Sequence, residues 1–150
     1  MKLTDITNEA LIDVELNGNT KEEIIDELIG RLDDNGVLKS QRKFKKAIVK
    51  REKEGSTGIG FSIAIPHGKS KAVLVPRVAF GIKRDGVDWE SADGEDAQLV
   101  FMIAVPEKSA GDEHLKILQM LSRKLMDEEF RQQLLEARNS KEALQLLEKV

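Results

Sequence analysis

The run Gln98-Leu99-Val100-Phe101-Met102-Ile103-Ala104-Val105 constrains the fold more than any other stretch of the chain. A β-strand points successive side chains to opposite faces of its sheet. A strand that is apolar at nearly every position needs both faces covered, as in a sheet with helices on either side. The surrounding sequence supplies those helices. Thr20-Lys21-Glu22-Glu23 reads as a capping box, with the Thr20 hydroxyl aimed at the Glu23 amide. It opens a helix with Ile24, Ile25, Leu28, Ile29 and Leu32 on one face, ended by Asn35-Gly36. A second helix spans Ser40 to Glu54, with Phe44, Ala47, Ile48 and Arg51 at helical spacing. Downstream, His114 to Met126, Glu128 to Ala137 and Ser140 to Val150 each carry a leucine-rich face.

Three further stretches read as strands. Ala10 to Leu16 alternates. Ile63-Ala64-Ile65 is apolar and runs into Pro66-His67-Gly68. Ala72 to Ile82 is β-rich around Pro76, which implies a bend, an edge position or two short pieces. Asp85 to Asp96 reads as a polar loop with a short hairpin around Val87 and Trp89. The expectation is one α/β domain over residues 1–150: a three-layer α/β/α sandwich with a mixed sheet of about five strands. There is no linker, internal repeat or low-complexity segment.

Composition removes several functions. The chain has no cysteine, which excludes disulfides, thiolate catalysis and cysteine metal sites. The net charge is −3 and no basic stripe carries interleaved aromatics, so nucleic acid is not an expected partner. No apolar run approaches the roughly 20 residues of a membrane span, so no direct membrane insertion is expected. The opening MKLTDITNEALIDVEL lacks a signal-peptide pattern, and a cytoplasmic location is expected.

Familiar motifs fail on spacing. In a dinucleotide fingerprint begun by Gly58-Ile59-Gly60, the third glycine falls at Ile63. A P-loop ending in Gly68-Lys69-Ser70 would also need glycine there. The acidic stretch Asp88 to Gly94 lacks EF-hand spacing and reads as a solvated loop. His67 and His114 have no third zinc ligand at a recognisable spacing, so no metal is expected.

His67 therefore stands out. The plain reading is a turn residue with its ring on the surface. Its neighbours favour another. Pro66 restricts the approach, and Gly68 can take backbone angles closed to other residues. Ser56, Thr57 and the glycines after them offer hydroxyls and amides to an anion. Arg51, at a helix end, could grip a phosphate, although a solvated cation is the simpler reading of that charged segment. His114 reads equally well as a first-turn helix residue. An imidazole with an ordinary pKa of about 6.5 is a competent nucleophile near neutral pH. Held beside an anion nest, His67 would be a phosphoryl acceptor.

These residues resemble a known family. Arg51-Glu52, Ser56-Thr57-Gly58-Ile59-Gly60 and Ile63-Ala64-Ile65-Pro66-His67-Gly68 are similar to the signature of the fructose/mannitol-type enzyme IIA domain. That domain belongs to the bacterial phosphoenolpyruvate-dependent sugar phosphotransferase system. Gly86-Val87-Asp88-Trp89, Leu99 to Glu107, His114 to Leu118 and Leu121-Ser122 extend the likeness over essentially the whole chain, with the fructose branch most similar. The resemblance implies a phosphoryl carrier. It would take the group from the histidine-containing phosphocarrier protein onto His67 and pass it to a IIB domain. That domain serves a membrane IIC domain during uptake of fructose or a related sugar. Catalytic roles carry over to His67, His114 and Arg51, phosphate-binding roles to Thr57 and Ser56. The family attaches the phosphoryl group at Nε2, with Nδ1–H held by a backbone carbonyl; the residues alone do not choose a nitrogen. No cofactor is implied. An apolar ring of leucine and isoleucine around the pocket is expected to exclude water. Phe61 departs from the small or acidic residue common in relatives. The alternatives are a nitrogen-related regulatory IIA protein and a non-catalytic binding module.

Overall fold

The computed structural model describes residues 2–108 and 113–150. Six strands form one mixed sheet among them: β1 (Ile12–Asp13), β2 (Gly58–Gly60), β3 (Ile63–Ala64), β4 (His67–Ser70), β5 (Arg77–Val87) and β6 (Ala97–Pro106). The order is β1-β5-β6-β3-β2, and β4 also pairs with β6. Helices α1 (Lys21–Asp34) and α2 (Gln41–Lys53) precede β2, and α3 (Glu113–Leu125), α4 (Glu128–Leu135) and α5 (Ser140–Leu147) follow β6.

Strand β6 is the central element, and its alternation builds two cores. Leu99, Phe101, Ile103 and Val105 pack with Ile117, Leu121 and the later helices. Val100, Met102 and Ala104 pack with Ile24, Leu28, Phe44 and Ile48 of α1 and α2. The expected three layers follow from this division. Phe80 and Phe101, opposite one another in register, stack with ring centroids 4.3 Å apart. Such a pair contributes about 0.5–1.5 kcal/mol beyond its buried area.

The helix starts follow local chemistry. The Thr20 hydroxyl accepts the Glu23 amide at 3.1 Å, and the Ser40 hydroxyl accepts the Lys43 amide at 3.2 Å. The Glu23 carboxylate reaches back to the Asn19 amide, one residue before the cap. All five apolar residues on the expected face of α1 are buried.

The strands differ from expectation in four places. The sheet has six strands where about five are expected, because Gly58–Gly60 pairs as β2 and the chain after Pro66 pairs on as β4. Proline has no N–H to donate, but its carbonyl still accepts the Ile103 amide at 2.9 Å. Ala10 to Leu16 yields only the two residues of β1. The Asn8 side chain accepts the Ala10 amide and starts a 3-10 turn over Glu9–Leu11. Pro76 is followed by β5, which begins at Arg77 and runs on to Val87, beyond Ile82. Trp89, placed in a solvated loop, is fully buried.

Candidate functional site

His67 opens β4 and pairs in register with Ile103 of β6. Its Nδ1 lies 2.9 Å from the carbonyl oxygen of Ile65. A carbonyl can only accept, so this contact requires the proton on Nδ1 and leaves the Nε2 lone pair available. The ring therefore has a defined orientation and a defined tautomer.

Helix α2 packs directly across β4. Gly68 makes this approach possible: a Cβ there would lie 3.3 Å from the Ala47 Cβ. Gly68 does not take the backbone angles closed to other residues, because its φ is not positive. Its contribution is the absent side chain. Close packing brings Lys50 and Arg51, in the last turn of α2, to the edge of the histidine. Cations there also complement the partial negative charge of a helix C-terminus. The Arg51 guanidinium donates to the Gly55 carbonyl at 2.8 Å, which fixes it across the helix end. From the other side comes His114, in the first turn of α3. Its ring stacks near that of His67, with centroids 5.8 Å apart and planes inclined by 28°.

His67, His114 and Arg51 thus line one open cavity of about 410 Å³, together with Lys50, Lys69 and Glu54. Three side-chain cations against one carboxylate make it receptive to an anion. Lys50 and Lys69 were not singled out in the sequence, where they look like ordinary surface lysines. The expected ring of leucine and isoleucine does not line this cavity; its apolar lining residues are only Ala47 and Gly68, beside the stems of the charged side chains. Leu115, beside His114, is exposed.

Ser56 and Thr57 are not brought into the cavity. The Ser56 hydroxyl donates to the Trp89 carbonyl and accepts the Gly58 amide. The Thr57 hydroxyl donates to the Glu52 carboxylate and accepts the Trp89 indole N–H at 3.0 Å. No group of three or more histidine, aspartate or glutamate side chains among the described residues could hold a metal.

Residues 5–150 match the family described as phosphoenolpyruvate-dependent sugar phosphotransferase system, EIIA 2. The chain belongs to the EIIA 2 family. EIIA 2 relatives include the fructose-specific EIIABC component of Bacillus subtilis, 48% identical over 91% of this chain. The chain spans only 21% of that longer protein. The fructose-specific EIIA component of Haloferax volcanii is 43% identical over 97% of this chain and 95% of its own length. Among solved EIIA structures, the nitrogen regulatory protein IIA-Ntr of Neisseria meningitidis superposes with a TM-score of 0.87 at 30% identity, covering 95% of this chain and 97% of that one. The mannitol IIA of Escherichia coli, solved in complex with phosphorylated IIB, superposes with a TM-score of 0.82 at 28% identity and the same coverage. As an EIIA component, the chain is a phosphotransferase component of the phosphoryl relay.

Proposed function

We propose that this chain is a single IIA domain that carries a phosphoryl group on Nε2 of His67, in the sugar-transport branch most similar to fructose systems. The observation that supports this most is the Nδ1 contact with the Ile65 carbonyl, which leaves Nε2 as the nucleophile inside a cationic cavity. The donor is the histidine-containing phosphocarrier protein, itself phosphorylated on an imidazole. The Nε2 lone pair of His67 forms the new N–P bond. The donor's N–P bond breaks, and its electron pair returns to the donor imidazole. The proton on Nδ1 stays in place. Phosphoryl transfer of this kind depends on alignment and on compensating the charge of the moving group. Arg51 offers a planar fork of donors to the phosphate oxygens, and His114 an imidazole N–H. The second transfer, to a IIB domain, reverses these roles. A protein with these partners works in the cytoplasm, and no helix among the described residues is long and apolar enough to cross a membrane.

Incubation with phosphoenolpyruvate, the first enzyme of the system and the phosphocarrier is expected to label His67 alone. The label should be lost in acid and survive in base, as an N–P bond does. Label on His114 would overturn the assignment to His67, and no label at all would favour a non-catalytic binding module. A regulatory role is the second reading, supported by the likeness to IIA-Ntr. It shares the histidine chemistry, and transfer of label to a fructose IIB domain separates the two.

A further inference from the structure

Glu52 follows Arg51 in the last turn of α2, but its side chain turns inward and is only 9% exposed. A carboxylate in such a place is costly unless it is paired and hydrogen-bonded. Here it is both. Lys21, the first residue of α1, sets its ammonium 2.7 Å from one oxygen. That oxygen also accepts the Thr57 amide at 3.2 Å, and the other accepts the Thr57 hydroxyl. One carboxylate thus grips the same residue through its backbone and its side chain. Trp89 completes the grip, donating its indole N–H to the Thr57 hydroxyl at 3.0 Å.

Thr57 is bound through its carbonyl as well. The Thr57 carbonyl accepts the Ile65 amide at 3.0 Å. The carbonyl of Ile65 in turn holds Nδ1 of His67 at 2.9 Å. Ile65 precedes proline, which confines its backbone to extended conformations and leaves little freedom between these two bonds. A continuous series of contacts therefore runs from the Lys21–Glu52 pair, through Thr57 and Ile65, to the imidazole.

We propose that Glu52 is a positioning residue for His67, setting the tautomer and direction of its ring through Thr57 and Ile65. This rests on the phosphocarrier reading above. Glu52 itself does not line the cavity, so it acts on the ring and not on the phosphate. The proposal also gives Thr57 a role other than phosphate binding.

The test uses protein carrying ¹⁵N-labelled histidine, observed by NMR above the pH at which imidazole titrates. Wild-type His67 is expected to show the Nδ1–H tautomer. In Glu52→Gln and Thr57→Val, its two nitrogen shifts should converge toward those of a tautomer mixture. Misalignment of the nucleophile should slow transfer to IIB on the order of 10- to 100-fold. Thr57→Ser, which keeps the hydroxyl, should restore both readouts. A merely structural Glu52 would lower the melting temperature without moving the tautomer. Trp89→Phe removes one hydrogen bond while keeping a smaller aromatic ring, and it tests the same series if Glu52→Gln does not fold. Folded variants with unmoved His67 shifts would overturn the role of Glu52. The tautomer readout needs no phosphoryl donor. Absent labelling of the wild type would instead overturn the phosphocarrier reading.

Discussion

At the scale of single residues, the two histidines should behave differently. His67→Ala is expected to accept no label. His114→Ala should still be phosphorylated, because Nε2 of His67 is intact. A hydrogen bond to a charged group contributes about 1.5–3 kcal/mol. If that bond acts mainly in the transition state, its loss slows transfer by roughly 10- to 150-fold. Rapid-mix phosphoryl transfer measures this, and a normal rate would remove His114 from the site. Arg51→Lys is expected to be impaired in the same assay, since an ammonium cannot reproduce the guanidinium fork. That these three residues meet in one cavity was legible because each belongs to a compact sequence block. Thr57, expected beside the phosphate, lies outside the cavity for a physical reason. A hydroxyl followed by glycines looks like part of an anion nest. What directs it elsewhere are Glu52, five positions away, and Trp89, 32 positions away. Nothing local distinguishes Glu52 from its neighbour Glu54, so the inward turn of one carboxylate was invisible until α1 and α2 were packed together.

At the scale of elements, the β2–β3 hairpin is tighter than its sequence would favour. Two residues, Phe61 and Ser62, connect Gly60 to Ile63, with φ values of 57° and 62°. Two-residue hairpins prefer this handedness because it matches the twist of the strands, but they usually meet it with asparagine and glycine. A side chain in this conformation costs roughly 1–2 kcal/mol. Ser62→Gly is therefore expected to raise stability by about 0.5–1 kcal/mol, after the greater flexibility of unfolded glycine offsets part of the gain. A denaturant midpoint that falls instead would show that the Ser62 side chain contributes more than its strain costs. The exposed Phe61 ring has one compensation, the Arg131 guanidinium 5.1 Å from its centroid. Elements with strong local signals were legible: the Thr20 and Ser40 caps, the apolar face of α1, and the run that became β6. The hairpin was not, because Phe-Ser carries no turn signal. Ala10 to Leu16 was over-read as a strand because the Asn8 cap lies before the alternating stretch and diverts its first residues into a turn.

At the scale of the whole molecule, Arg84 ties distant parts of the chain together. Its guanidinium donates to the carbonyls of Val14, Leu135 and Ala137, joining the segment after β1 to the end of α4. Arg84→Met keeps much of the aliphatic stem and removes all three bonds. An expected loss of about 1–3 kcal/mol, read from the denaturant midpoint at unchanged slope, reflects charged donors discounted for their exposure. The sheet itself depends on β6, which pairs with β3, β4 and β5. Its amides are expected to exchange with solvent more slowly than those of β1 or β2, and faster exchange in β6 would show that another element holds the last structure to open. This central position has a consequence for synthesis on the ribosome. The strand that seats His67 and the strand that brings β1 into the sheet are both made before the strand they pair with. A nascent chain that has emerged only as far as Trp89 already contains His67 and Arg51, but not β6, with which His67 pairs through Ile103. His114 is still to be translated. The site therefore cannot be complete when its first residues appear; it waits for β6 and for His114.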